Sequence, residues 1–314
     1  MKKVLYLSHA TPEVYSLIRD EVPAGFELIT LEQNSDDERR AKVAACEVVI
    51  VAATPLRKPV IDAAKRIELV HHQGVGWQDT TDHATLKERG IPLALTPEGT
   101  TIGVAEHTVL MILAALKLLP FADSELRQGR FHVNALRPAS RELSGLTVGY
   151  IGMGRIAQAV GERLGAFGTR GIFFDPAVTA AAGMQRRSFE QVLQEADVIT
   201  LHLPLTAETR YLLGAGEIAR MKRGAYLVNT ARGGLVDEQA LVGALESGHL
   251  AAAALDVFET EPLPAGHPLT RLNNVVLTPH ISAGTRDALQ TKMRALFFNV
   301  QRFYRGEPLQ HRVF

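Results

Sequence analysis

Residues 147–157 read Thr147-Val148-Gly149-Tyr150-Ile151-Gly152-Met153-Gly154-Arg155-Ile156-Ala157, an apolar run that breaks on two closely spaced glycines. A helical pattern follows, to about residue 167. Gly152 permits a tight turn, and Gly154 lets the backbone approach a pyrophosphate resting on the helix N-terminus. Ala157 stands where a third glycine is common, a tolerated choice where the helix meets the strand. Asp175 ends the next apolar run, 18 residues beyond Ala157. A carboxylate there hydrogen-bonds the adenosine ribose hydroxyls and repels a 2′-phosphate, so the spacing favours NAD over NADP. The alternative is that Asp175-Pro176 only starts a turn.

Outward from this unit the chain alternates apolar runs with amphipathic stretches. Before it the runs are 4–7, 27–30, 48–52, 69–71 and 92–95, with helical patterns at 12–20, 36–45, 58–66 and 83–89. After it the runs continue at 171–174, 198–201, 226–228, 252–255 and 275–277. Strands alternating with helices imply βαβ units and parallel sheets buried on both faces. The fold class is α/β, with two doubly wound parallel-sheet domains. Two long helices are expected to link them. One begins near Thr101 and ends before Pro120, and its portion 109–116 is apolar all round, which predicts burial between layers. The other runs from an N-cap at Thr285 to a C-terminal Gly306. No strand follows it, so it is expected to pack back on the first domain and leave a hinged cleft.

The 314 residues carry 34 Lys+Arg and 34 Asp+Glu, which argues against a general polyanion binder and predicts no nucleic-acid partner. Cys46 is the one cysteine, which excludes an intrachain disulfide and a clustered zinc site, and no metal is expected. The longest strong apolar run, 109–116, is far short of the ~20 residues of a membrane-spanning helix. The amino-terminal Met1-Lys2-Lys3 and its apolar run break at Ser8-His9 and read as a first strand rather than a signal peptide. These features predict a cytoplasmic protein with no membrane partner.

In an open α/β sheet, ligands sit outside the carboxyl ends of the strands. There the sequence places His202-Leu203-Pro204, Asn229-Thr230-Ala231-Arg232-Gly233-Gly234, Asp256 and Thr278-Pro279-His280. The guanidinium fork of Arg232 suits a carboxylate, gripped by two parallel hydrogen bonds. His280 titrates near neutral pH as a residue type and suits proton exchange with a hydroxyl or carbonyl. Other histidines read differently. His71-His72 precede the Gly74-Val75-Gly76 turn and could face the cleft, whereas His83, His249 and His267 read as surface or cap residues.

Taken together, these residues resemble the D-isomer-specific 2-hydroxyacid dehydrogenase family over nearly the whole chain. The matching segments are 73–76 (Gln-Gly-Val-Gly), 104–108 (Val-Ala-Glu-His-Thr), 148–156, 201–204, 229–234, 255–262 (Leu-Asp-Val-Phe-Glu-Thr-Glu-Pro) and 278–281. The resemblance implies a flavodoxin-like substrate domain, residues 1–98 and 282–314, around an inserted Rossmann NAD domain, residues 99–281. It implies that Arg232 holds the substrate carboxylate and polarises the 2-oxo group. His280 becomes the acid/base and Glu261 its carboxylate partner; the pattern alone does not choose Glu261 over Glu259. Gly152, Gly154, Arg155, Ile156, Asp175, Leu203, Pro204, Thr209, Thr230, Ala231, Arg232, Asp256, His280 and Ser282 would line the cofactor. Val75 and Gly76 would join Arg232 and His280 around the substrate. Leu95, Thr100 and Trp77, with a turn at 78–82 that is one residue longer than usual, depart from the family pattern beside the pocket and leave the substrate open.

The implied activity is reversible reduction of a small 2-oxo acid by NADH to a D-2-hydroxy acid. Two rivals remain at this stage, an NAD-sensing regulatory or corepressor-like module and a phosphite-type oxidoreductase. The resemblance further implies a homodimer through residues 101–140, with the stretch 127–137, including Phe131, as an interface arm or an ordinary exposed loop.

Overall fold

A computed structural model describes all 314 residues. The chain divides into two compact units, Met1–Thr100 with Gly284–Phe314, and Thr101–Ala283.

The first unit alternates β1 (Lys2–Tyr6), α1 (Pro12–Arg19), β2 (Phe26–Ile29), α2 (Asp36–Val43), β3 (Val48–Val51), α3 (Lys58–Ala63), β4 (Leu69–His72), α4 (His83–Glu88) and β5 (Leu93–Leu95). Its strands are all parallel, in the order β2-β1-β3-β4-β5, the doubly wound order of flavodoxin-like sheets. Two-residue alternation splits the side chains between two cores. Val4, Tyr6, Val48 and Ile50 pack on one face, and Leu5, Leu7, Val49 and Val51 on the other. His71 and His72 are both buried, because β4 is covered on both sides. His71 lies between Thr96 Oγ1 (3.2 Å) and the Asn299 amide (2.9 Å), and burial pulls its pKa down to about 3. Trp77 packs against the same core, its indole edge-on to His83 with centroids 5.2 Å apart.

The second unit opens with α5 (Thr100–Leu116) and α6 (Leu119–Arg127) and continues through β6 (Thr147–Ile151), α7 (Arg155–Gly165), β7 (Arg170–Phe174), β8 (Met184–Arg186), α8 (Phe189–Glu195), β9 (Val198–Leu201), α9 (Ala215–Arg220), β10 (Ala225–Asn229), α10 (Glu238–Glu246), β11 (Leu250–Leu255) and β12 (Val275–Leu277). The seven strands are parallel in the order β12-β11-β10-β9-β6-β7-β8. The winding direction reverses at β6, between β7 and β9, and the crevice above such a reversal is where ligands bind. One face of the sheet packs on α5 and α7 through Met111, Ile112, Ala157 and Val160; the other packs on α8, α9 and α10 through Val192, Ile218 and Leu241.

One expectation changes here. Leu110 is 53 % exposed, so α5 is not buried all round, although Met111, Ile112, Ala114, Ala115 and Leu116 are buried. Helix α5 ends at Leu116, before Pro120 as expected, and Pro120 itself belongs to a second helix that the sequence reading did not include. It sits in the first turn of α6, where its missing N–H has no partner to lose, after a left-handed Leu118 (φ 51°) and a 63° bend. No single helix is long and apolar enough to cross a membrane. The last helix, α11 (Arg286–Tyr304), is capped by the Thr285 hydroxyl and covers the first sheet through Met293, Leu296, Phe297 and Val300.

Candidate active site

The glycine loop follows β6 at the point of reversal. Gly152 has φ +88°, and a Cβ there would fall 2.5 Å from His202 O, so neither the conformation nor the space admits a side chain. At Gly154 a Cβ would meet nothing within 4 Å and would enter open space above the loop. Gly154 is also the N-cap of α7 and supplies no side-chain cap, so the first-turn N–H groups, Arg155 and Ile156 included, remain available to an anion. This open cradle on a bare helix N-terminus fits the pyrophosphate of a dinucleotide.

Asp175 lies at the end of β7, beside that loop. One carboxylate oxygen accepts the Met153 N–H (2.8 Å), and the other accepts the N–H groups of Ala177 (2.8 Å) and Val178 (2.9 Å). The carboxylate thus abuts the glycine loop and also closes its own turn. Burial raises its pKa, but these three donors and the nearby Arg186 outweigh it and keep the group anionic. After β9, Leu203 and Pro204 enter a turn closed by Thr209, whose hydroxyl donates to Pro204 O (2.7 Å). His202 is half-buried beside Tyr150, with rings stacked at 6.2 Å; desolvation pushes its pKa down to about 3.

The loop after β10 carries Thr230, Ala231 and Arg232. Asn229, 1 % exposed, stitches it together: its amide donates to Arg232 O (2.8 Å), and its carbonyl accepts the Ala231 N–H (3.0 Å). At Gly233 a Cβ would lie 1.9 Å from the Phe258 carbonyl carbon, so the Arg232 loop and the loop after β11 are in backbone contact that only glycine permits. Glu261 takes the Phe258 N–H on Oε1 (3.0 Å) and turns Oε2 to His280 Nδ1 at 2.7 Å. Burial alone would raise the Glu261 pKa, but His280, the Phe258 N–H and the Arg232 charge bring it below the ordinary carboxylate range. Glu259, the rival candidate, points elsewhere. Its Oε1 accepts the Glu238 N–H (2.9 Å), and its Oε2 accepts the Tyr211 hydroxyl (3.3 Å).

His280 adopts φ +53°, a conformation rare for a residue with a side chain. Asp256 holds it there. Its backbone carbonyl accepts the His280 N–H (2.8 Å), and its carboxylate accepts the N–H groups of Ile281 and Ser282 (both 2.9 Å) and the Thr278 hydroxyl (2.6 Å). Burial of Asp256 raises its pKa, yet these donors and His107 together draw it down to about 2. Asp256 is fully buried, with both carboxylate oxygens engaged by this loop. Thr230 likewise turns its hydroxyl inward, 2.9 Å from Thr108 Oγ1.

Arg232, Glu261 and His280 therefore sit on one edge of the second sheet with the glycine loop, Asp175, Leu203, Pro204, Thr209, Ala231 and Ser282. Val75 and Gly76 belong to the other unit, in the turn after β4. Sequence reading included Asn229, Thr278 and His107 in its motifs but gave them no role. His107 reaches Thr278 across 171 residues, a pairing with no local signal. No group of His, Cys, Asp or Glu side chains is arranged to hold a metal.

Residues 109–282 match the family model described as "D-isomer specific 2-hydroxyacid dehydrogenase, NAD binding domain". The chain is 36% identical over 316 residues to a D-3-phosphoglycerate dehydrogenase of Archaeoglobus fulgidus, covering 99% of this chain and 59% of that protein. It is 39% identical over 255 residues to a glyoxylate reductase of Thermofilum pendens, covering 79% of this chain and 75% of that protein. Among solved structures, an NAD-dependent formate dehydrogenase from Staphylococcus aureus in complex with NAD superposes with a TM-score of 0.87 at 31% identity, covering 99% of this chain and 97% of that one. The chain spans little more than half the length of the D-3-phosphoglycerate dehydrogenases it matches, 59% and 53% for two of them. With more than half its length in the family model and these identities to family members, the chain belongs to the D-isomer specific 2-hydroxyacid dehydrogenases.

Proposed function

We propose that this protein reversibly reduces a small 2-oxo acid to a D-2-hydroxy acid, using NADH as hydride donor. The observation that carries the reading is the 2.7 Å pairing of His280 Nδ1 with Glu261, on the sheet edge that also presents Arg232. The carboxylate fixes Nδ1 as a protonated nitrogen and leaves Nε2 to exchange a proton with the substrate oxygen. NAD, when bound, supplies the hydride chemistry. Arg232 binds the substrate carboxylate and places positive charge beside the carbonyl oxygen where negative charge develops. His280 Nε2 then delivers the proton that completes the hydroxyl, and Glu261 stabilises the imidazolium before transfer. In oxidation the same nitrogen takes the proton back. Gly152, Gly154, Arg155 and Ile156 hold the pyrophosphate, and Asp175 holds the adenosine ribose and disfavours a 2′-phosphate.

The protein partner in this reading is a second copy of the chain. Ile102, Leu110, Leu119, Leu126, Phe131 and Val133 are more than half exposed and fall within residues 102–133. Such an apolar surface suits a self-complementary two-fold interface.

The test is NADH oxidation, followed by loss of absorbance, across glyoxylate, hydroxypyruvate, pyruvate and bulkier 2-oxo acids, with phosphite and NAD as a separate arm. Turnover of a 2-oxo acid supports the proposal and ranks the pocket by size. Tight NADH binding with no turnover of any of them would favour an NAD-sensing role, and turnover of phosphite alone would favour phosphite oxidation.

A further inference from the structure

Helix α5 contributes no group to the reaction just described, yet two adjacent residues on it touch both loops that do. His107 Nε2 lies 3.0 Å from Thr278 Oγ1 and 3.5 Å from Asp256 Oδ1. The Thr278 hydroxyl proton goes to Asp256 Oδ1 at 2.6 Å, so its oxygen is left to accept from His107 Nε2–H. Asp256 in turn carries the backbone of His280, Ile281 and Ser282. One turn earlier on the same ridge, a Cβ at Gly103 would lie 3.2 Å from Ser282 O, a close approach of helix to loop. On the neighbouring ridge the Thr108 hydroxyl donates to Val104 O (2.7 Å) and accepts from Thr230 Oγ1 (2.9 Å), two residues before Arg232. Helical spacing places residues 103 and 107 on one ridge and 104 and 108 on the next.

We propose that His107 and Thr108 are positioning residues for the two halves of the active site. His107 fixes the acid/base loop through Thr278 and Asp256, and Thr108 fixes the carboxylate-binding loop through Thr230. The strained φ of His280 makes the first contact matter most: a residue held at φ +53° relaxes when its anchors loosen, and its imidazole leaves Glu261. Misplacement of a catalytic group by about 1 Å costs on the order of 10²-fold in rate. The inference rests on the proposed roles of His280 and Arg232, and its test separates the two questions.

His107→Leu removes the donor, and His107→Gln restores an amide donor at similar reach. In amide hydrogen exchange, His280, Ile281 and Ser282 are expected to exchange about tenfold faster in His107→Leu, with wild-type protection in His107→Gln and no change at the amides of β6 and β7. This arm needs no turnover. In kinetics with a 2-oxo acid, kcat is expected to fall about 10- to 100-fold in His107→Leu with KM within twofold, recovering in His107→Gln. Thr108→Val is expected to act on the other loop and raise KM for the 2-oxo acid more than it lowers kcat. Where His107→Leu fails to fold, Thr278→Val against Thr278→Ser makes the same comparison. Unchanged exchange at 280–282, or a uniform loss of protection across the unit, overturns the positioning role whatever the activity. An active His280→Ala variant instead refutes the acid/base reading and leaves the exchange result to be judged alone.

Discussion

His280 is exposed, held at positive φ and paired with a carboxylate, and the proposed function makes its imidazole the acid/base. Its replacement by alanine is expected to lower kcat about 10²–10⁴-fold, the usual scale for a lost acid/base, read from initial rates at saturating substrate. Asp256 makes a distinct prediction, because its pKa is lowered by folding. A depressed carboxylate stabilises the fold above its unfolded pKa of about 3.8, and that stability is lost as pH falls toward about 2. Asp256→Asn is thus expected to cost on the order of 2 kcal/mol at pH 7 and far less near pH 2, measured by denaturant unfolding at both values. Asp175→Ala is expected to narrow the preference for NADH over NADPH, read as the ratio of the two kcat/KM values. At this scale the sequence was informative where chemistry is local. Arg232 and His280 stand at strand ends, where their residue types already suggest a carboxylate grip and a proton carrier. It was silent between Glu259 and Glu261, two residues apart, because tertiary contacts with Glu238 and Tyr211 decide which one faces away from the imidazole.

The elements explain why the two loop glycines are not equivalent. Gly152→Ala forces a side chain against His202 O at positive φ and is expected to destabilise the fold by about 1–3 kcal/mol. Gly154→Ala places its methyl in open space and is expected to leave thermal stability near wild type while weakening NADH binding at least tenfold, measured by fluorescence titration. Equal effects on stability and affinity at the two positions would contradict the cradle. The regular strands were legible because β-branched runs such as Val48-Val-Ile-Val51 announce buried parallel strands. The three-residue edge strand β8, Met184-Gln-Arg186, was not, since it carries no apolar alternation and is formed by pairing with β7. The second helix, α6, was hidden because proline is compatible with a helix start as well as with a stop.

Across the whole molecule, both sheets are parallel and wound on two faces, as the strand–helix alternation predicts, and the comparisons place the chain in its family. In the proposed reading a second copy of the chain covers the exposed apolar face. If a second copy does, Leu110→Glu is expected to shift the protein from dimer to monomer in sedimentation; an unchanged mass would remove α5 from the interface. The central claim is that a histidine–glutamate pair and an arginine on one sheet edge carry proton and hydride exchange with a 2-oxo acid. The most direct test compares wild type and His280→Ala in NADH oxidation with the best 2-oxo acid, at saturating concentrations of both substrates and with NADH binding measured in parallel. The account predicts intact NADH binding and a turnover loss of about 10²–10⁴-fold in the variant. Turnover within a few-fold of wild type would contradict it.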